Sequence, residues 1–166
     1  MLNIMNIYAL MKTFLLNPQM IKVKFSVNKF LCKYLNKFNI QNVGGNYIIH
    51  SHLPPLNSRA YTKFVNKHLL VKNVSLSHAQ IGLTNACPQN CEYCYNRNKT
   101  GRVMDTITIK RIIQDLKDLR IFWLGFTGGE PLLNKDIVRI TESVGNECVL
   151  KLFTTGCNLY NNSHMI

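Results

Sequence analysis

Three short apolar runs, separated by two helix-length stripes, constrain this chain more than any other feature. Residues 80–84 (Gln80-Ile81-Gly82-Leu83-Thr84), 121–126 (Ile121-Phe122-Trp123-Leu124-Gly125-Phe126) and 148–153 (Cys148-Val149-Leu150-Lys151-Leu152-Phe153) read as strands. The second is apolar without a break, as expected of a strand covered on both faces. Between the first two runs, Ile109, Ile112, Ile113, Leu116 and Leu119 recur at helical spacing behind capping residues at 105–108. Between the last two, Ile137, Ile140 and Val144 form a second stripe, with Asn134 placed to cap it and Gly145-Asn146 to end it. The order β-α-β-α-β implies an α/β fold with a parallel sheet and right-handed crossovers.

This alternation occupies residues 79–166, and a region of different character, residues 1–78, precedes it. In that first region Pro18 opens a stretch where Val27, Leu31, Tyr34, Leu35 and Phe38 fall at helical spacing. Gly44-Gly45 breaks the chain, Tyr47-Ile48-Ile49 reads as a short strand, and Asn57 or Ser58 can cap a second helix bearing Tyr61, Phe64, Val65 and Leu69. The region is therefore expected to be basic and mainly helical. All eight acidic residues lie from Glu92 onward, so ten of the 20 Lys and Arg precede any acid, and the net charge of +12 sits mostly in the first region. Such asymmetry suits an anionic partner, but the lysines are scattered and the stretch is also rich in Asn and Ile, which reads equally as compositional bias. No nucleic-acid-recognition motif is present, and nucleic acid is not the expected partner. Residues 1–16 are apolar but interrupted by Asn3, Asn6 and Lys12. They lack the marks of a signal peptide and are too short for a membrane span.

Six cysteines are present, and three of them, Cys87, Cys91 and Cys94, crowd into eight residues. A disulfide framework spreads its cysteines around a small secreted fold. Crowding points instead to a metal site in a reducing compartment, so a cytoplasmic location is expected. The spacing C-x3-C-x2-C lets three thiolates on one tight loop hold three corners of a cubane cluster, leaving one iron open. Zinc is the competing reading, but zinc sites pair two C-x2-C knuckles or add two histidines, and neither follows here. Cys148 and Cys157 lie far along the chain, and the sequence assigns them no role. The histidines at 50, 52, 68 and 78 have no acid or cysteine at ligand spacing.

With Tyr93 just before the last cysteine, this loop resembles the signature of the radical S-adenosylmethionine superfamily. Thr127-Gly128-Gly129-Glu130-Pro131, directly after the second strand, resembles the family's GGEP motif. Read alone, that segment is equally a plain turn. The resemblance implies a [4Fe–4S] cluster on Cys87, Cys91 and Cys94, with S-adenosyl-L-methionine on its open iron. It also implies Tyr93 near the adenine, and Gly128, Gly129 and Glu130 at the methionyl amino group. The two glycines would let the backbone come close to that ligand, and the carboxylate would accept hydrogen bonds from the ammonium. Thr154-Thr155-Gly156, after the third strand, is similar to Thr-Thr-Asn-Gly segments of the family but lacks the Asn. A strand-to-loop turn explains it as well as a ligand role does.

All three segments follow a strand directly, which in parallel β/α barrels brings loops to one catalytic face. The expected architecture is a partial radical SAM barrel of about three β/α units, where the full core has six, most like the peptide- and cofactor-maturing branches. The expected function is reductive cleavage of S-adenosylmethionine to a 5′-deoxyadenosyl radical that takes hydrogen from an unassigned substrate, conceivably a peptide. An external flavodoxin- or ferredoxin-like protein would supply the electron. With three units only, a further chain completing the barrel is an expected partner. A non-catalytic iron–sulfur-binding fragment or partner-binding subunit is the alternative.

Overall fold

In the computed structural model of the chain, residues 4–35, 37–71, 76–98 and 103–160 are described. The chain divides into two compact units, Met1–Ser75 and Leu76–Ile166.

The first unit opens with helix α1, Ile4–Leu16, which is turned inside out. Its buried residues are Asn6, Ala9 and Thr13, while Ile4, Met11 and Leu15 face outward. Asn6 explains part of this, since its side chain donates to the Phe38 carbonyl and accepts from the Ile40 amide. Periodicity alone leaves this helix unmarked, because its apolar stripe is on the exposed side. Pro18 starts a 3-10 turn, Pro18–Lys22, and helix α2 begins only at Phe25, running Phe25–Leu35. Strands β1, Gln41–Val43, and β2, Asn46–Ile48, form an antiparallel hairpin around Gly44 and Gly45, both at positive φ as a two-residue hairpin turn requires. Ser58, one of the two residues expected to cap, caps helix α3, Arg59–Phe64, through its hydroxyl. The helix continues as a π-turn, Val65–Leu69. Met20, Val23, Tyr47, Leu56, Tyr61 and Val65 lie in this unit's own core.

The second unit holds the expected alternation. Strand β3 is His78–Gly82, helix α4 Thr106–Asp118, strand β4 Trp123–Thr127, helix α5 Ile137–Val144 and strand β5 Val149–Leu152. The sheet is parallel with strand order β3-β4-β5 and with His78, Trp123 and Val149 in register at its start. Strand β3 begins two residues earlier than its apolar run, because His78 and Gln80 alternate with Ala79 and Ile81 and leave the helix-covered face to the latter. Asp105 caps α4, its carboxylate accepting from the Thr108 amide at 2.7 Å.

At α5 the capping expectation needs correction. A 3-10 turn, Pro131–Leu133, intervenes, and Asp136 rather than Asn134 stands at the helix start. Asn134 closes that turn, its amide oxygen accepting from the Asp136 N–H while its NH2 donates to the Leu83 carbonyl at 3.2 Å. Ile81, Leu83, Leu124 and Phe126 pack with Ile109 and Ile113 of α4 and Ile137, Ile140 and Val144 of α5. At about 1.5–3 kcal/mol for each buried large side chain, this layer holds the helices on the sheet. Among the described residues the sheet is open, with β3 and β5 at its edges, and these three strands do not close a barrel.

Candidate functional site

The strand ends of the second unit bring three loops together. The loop after β3 begins Leu83-Thr84-Asn85-Ala86 and leads into the cysteines, the loop after β4 is Gly128-Gly129-Glu130-Pro131, and the loop after β5 is Thr154-Thr155-Gly156. Hydrogen bonds between backbones join the first two. The Leu83 amide donates to the Thr127 carbonyl at 2.9 Å, the Gly129 amide to Thr84 at 2.6 Å, and the Glu130 amide to Ala86 at 2.7 Å.

This contact explains the glycine pair. Gly128 has φ +124°, in the region that favours glycine, and a Cβ there would collide with the Thr84 carbonyl. A Cβ on Gly129 would run into the Ala86 carbonyl. The resemblance implies glycines that let a backbone approach a ligand. In the structure the backbone they approach is that of the chain's own cysteine loop.

Glu130 is completely buried. Its Oε1 accepts from the Leu132 amide (3.0 Å) and the Thr154 hydroxyl (2.6 Å). Its Oε2 accepts from the Thr155 amide (2.7 Å) and the Thr155 hydroxyl (2.6 Å). Burial alone would push this carboxyl's pKa up. The hydrogen bonds from Thr154, Thr155 and Leu132 outweigh it and hold the group below its ordinary value. The resemblance aims Glu130 at an ammonium group, but here four donors of the chain itself already take both oxygens. Thr154 and Thr155, for which the sequence leaves a turn and a ligand role both open, are the partners it does not reveal. The signal that could have found them is two adjacent hydroxyl residues at the end of a strand next to one carrying a carboxylate.

The cysteine loop is bracketed by two anchors, one to the second loop and one to the end of β4. Ala86, immediately before Cys87, accepts from Glu130, and the hydroxyl of Tyr95, immediately after Cys94, lies 3.0 Å from Thr127 Oγ1. Between these anchors the chain forms no helix or strand; the Cys94 amide donates to Cys91 O, and from just beyond Tyr95 the Asn96 amide reaches Cys94 Sγ at 3.4 Å. Tyr93 is 91% exposed and free to lie against a flat ligand.

Cys87, Cys91 and Cys94 are free thiols, Cys87 exposed and the other two half-buried. Among the described residues no three His, Cys, Asp or Glu side chains are gathered into a formed metal site. The donor set nevertheless fits an iron–sulfur cluster: three unpaired thiols on one short loop, with a backbone N–H already directed at one sulfur. A loop fixed at both ends and irregular between them can draw its thiols together as metal binds, since metal affinity and local folding are coupled.

The remaining three cysteines are also free. Cys148 is buried, its thiol donating to the Ile121 carbonyl at 3.3 Å, so it belongs to the core. Cys157 sits half-buried in the turn after Gly156, and Cys32 is exposed in the first unit. No helix among the described residues is long and apolar enough to cross a membrane.

All three loops lie within one region that is similar to known proteins. Residues 81–160 match the model of the Radical SAM superfamily. An uncharacterized protein of Methanocaldococcus jannaschii is 42% identical over 64 residues, which are 38% of this chain and 22% of that protein. A probable GTP 3′,8-cyclase of Pyrococcus abyssi is 36% identical over 88 residues, 51% of this chain and 29% of that protein. A PqqA peptide cyclase of Methylobacterium nodulans is 36% identical over 64 residues, 37% of this chain and 17% of that protein. The chain thus spans less than a third of the length of each of these relatives.

Proposed function

We propose that this chain, carrying a radical SAM region at residues 81–160, binds a [4Fe–4S] cluster on Cys87, Cys91 and Cys94 and S-adenosyl-L-methionine beside it. The chemistry that such a pair supplies when bound is reductive cleavage of the sulfonium to methionine and a 5′-deoxyadenosyl radical, which removes hydrogen from a substrate. The observation that carries this reading is the anchoring of the cysteine loop. It is tied at Ala86 to the Gly-Gly-Glu-Pro loop and at Tyr95 to Thr127, the last residue of β4 before that loop, as a site for two adjoining ligands needs.

The protein's own part is binding and orientation. Cys87, Cys91 and Cys94 would hold the cluster through three thiolates, which would leave one iron open to the second ligand. Tyr93 offers an exposed ring to the adenine. Gly128 and Gly129 keep the second loop against the first, so that the groups facing the methionyl end stand at a fixed distance from the cysteines. The partial β/α barrel of the family is the architecture this reading implies. The electron comes from a flavodoxin- or ferredoxin-like donor. For substrate we favour a peptide, from the name of the PqqA peptide cyclases among the relatives. The GTP 3′,8-cyclase name makes a purine nucleotide the first alternative to assay.

Formation of 5′-deoxyadenosine separates an enzyme from a non-catalytic cluster-binding subunit. The reconstituted, dithionite-reduced protein should release 5′-deoxyadenosine and methionine from S-adenosylmethionine, and Cys91→Ala should abolish both. A fully loaded cluster with no deoxyadenosine, alone or with added relatives' substrates, would favour the non-catalytic reading.

A further inference from the structure

We propose that Glu130 is a positioning residue that clamps the loop after β5 onto the loop after β4, and that it serves S-adenosylmethionine through Thr154 and Thr155 rather than by touching the ammonium group itself. The inference rests on the reading above for the ligand, but the clamp is a property of the metal-free chain.

Geometry carries the case. A carboxylate that grips an ammonium needs an oxygen facing the ligand, and Glu130 has no exposed surface. Each of its oxygens receives one backbone N–H and one hydroxyl: Leu132 N and Thr154 Oγ1 on Oε1, Thr155 N and Thr155 Oγ1 on Oε2. The Thr155 contacts cross 25 residues of sequence and tie two loops that have no backbone hydrogen bond to each other in the structure besides the strand ladder ending at Phe153 N to Phe126 O. The Glu130 amide meanwhile donates to Ala86, one residue before the first cysteine of the site. One residue therefore joins all three loops, the first through its backbone and the third through its side chain. The hydroxyls of Thr154 and Thr155 also accept from the Gly156 and Cys157 amides, at 2.9 and 3.4 Å, so the clamp extends along the third loop.

The same pattern says why glutamine is a poor substitute. A hydroxyl can turn to accept from an amide NH2, but a backbone N–H cannot. Whichever way a Gln at 130 is flipped, its NH2 faces the N–H of Leu132 or of Thr155, donor against donor. The third loop should then come away from the second while the strands beneath stay in place.

Hydrogen exchange on the full metal-free chain reads the clamp directly. Glu130→Gln should raise exchange at the Thr155, Gly156 and Cys157 amides by about tenfold or more, while amides of β4 and β5 keep wild-type rates. Should Glu130→Gln not fold, Thr155→Val tests the same bond from the other side, and Thr155→Ser, which keeps the hydroxyl, should restore wild-type rates. Unchanged exchange at these amides in Glu130→Gln, or in Thr155→Val where Glu130→Gln does not fold, would overturn the clamp.

Ligand affinity reads the second half of the proposal. In the reconstituted chain Glu130→Gln and the double variant Thr154→Val/Thr155→Val should each weaken S-adenosylmethionine binding about tenfold, and the triple variant no further, as for residues acting as one unit. Preference for S-adenosylmethionine over its analogue lacking the α-amino group should persist in all of them. If Glu130→Gln erases that preference while the threonine variants bind normally, the carboxylate contacts the ammonium and the proposal fails. If the wild-type chain takes up no cluster, it is the radical reading that fails, and exchange in the metal-free protein still decides the clamp.

Discussion

Glu130 should govern how the second unit responds to acid. Its folded pKa is depressed, burial being outweighed by hydrogen bonds from Thr154, Thr155 and Leu132. Its stabilising contribution is therefore whole above the ordinary carboxyl pKa of the unfolded chain and is lost as pH falls through the lower folded value. Thermal unfolding followed from pH 7 downward should show a loss of stability below that ordinary range, and Glu130→Gln should flatten it; an identical pH profile in the two proteins would contradict the assignment. Gly129→Ala should cost about 3 kcal/mol, because its Cβ meets the Ala86 backbone, which cannot step aside. Urea denaturation measures this, and a loss under about 0.5 kcal/mol would mean that the two loops are not in contact. The sequence marks Cys87, Cys91 and Cys94 by their spacing and Gly128-Gly129 as a point of close approach, but it does not say that the approach is to the chain's own cysteine loop. It marks Thr154-Thr155-Gly156 as a turn or a ligand segment but does not name Glu130 as their partner, because a bond across 24 or 25 residues leaves no local pattern.

Periodicity read the elements of the second unit well and those of the first unevenly, for a physical reason. Helices α4 and α5 bury Ile109, Ile113, Ile137, Ile140 and Val144 and so show an apolar stripe. Helix α1 buries Asn6, Ala9 and Thr13, and a stripe of polar and small residues is no signal of burial. The start of α5 was misplaced at Asn134 because the 3-10 turn Pro131–Leu133 consumes the residues that a direct cap would use. Asp105, like Ser58, is a start signal that sequence and structure share. Asp105→Ala should lower the melting temperature by removing the hydrogen bond to the Thr108 amide. Asp105→Asn should keep most of it, and equal losses in both would point to charge rather than the cap. Cys148 belongs to this scale too. Its thiol is a core group bonded to Ile121 O, so Cys148→Ala should cost about 1–2 kcal/mol and leave metal uptake intact.

For the molecule as a whole, every residue assigned to the site lies in the unit Leu76–Ile166, which has its own core. Expressed alone, residues 76–166 should fold and take up iron as the full chain does; failure to fold, read by circular dichroism, would give the basic first unit a structural role. The α/β class was legible because alternation of strand and helix fixes it, whereas barrel closure depends on pairing at the edges of β3 and β5, which no local pattern in this chain encodes. If the bracketed cysteine loop is a cluster site, anaerobic reconstitution should give a brown protein with about four irons and four sulfides per chain, as a cubane held by three thiolates requires. Cys87→Ala, Cys91→Ala and Cys94→Ala should each abolish that uptake, and Cys32→Ala should not. Stoichiometric zinc with no iron, or iron uptake indifferent to the three alanine variants, would contradict it.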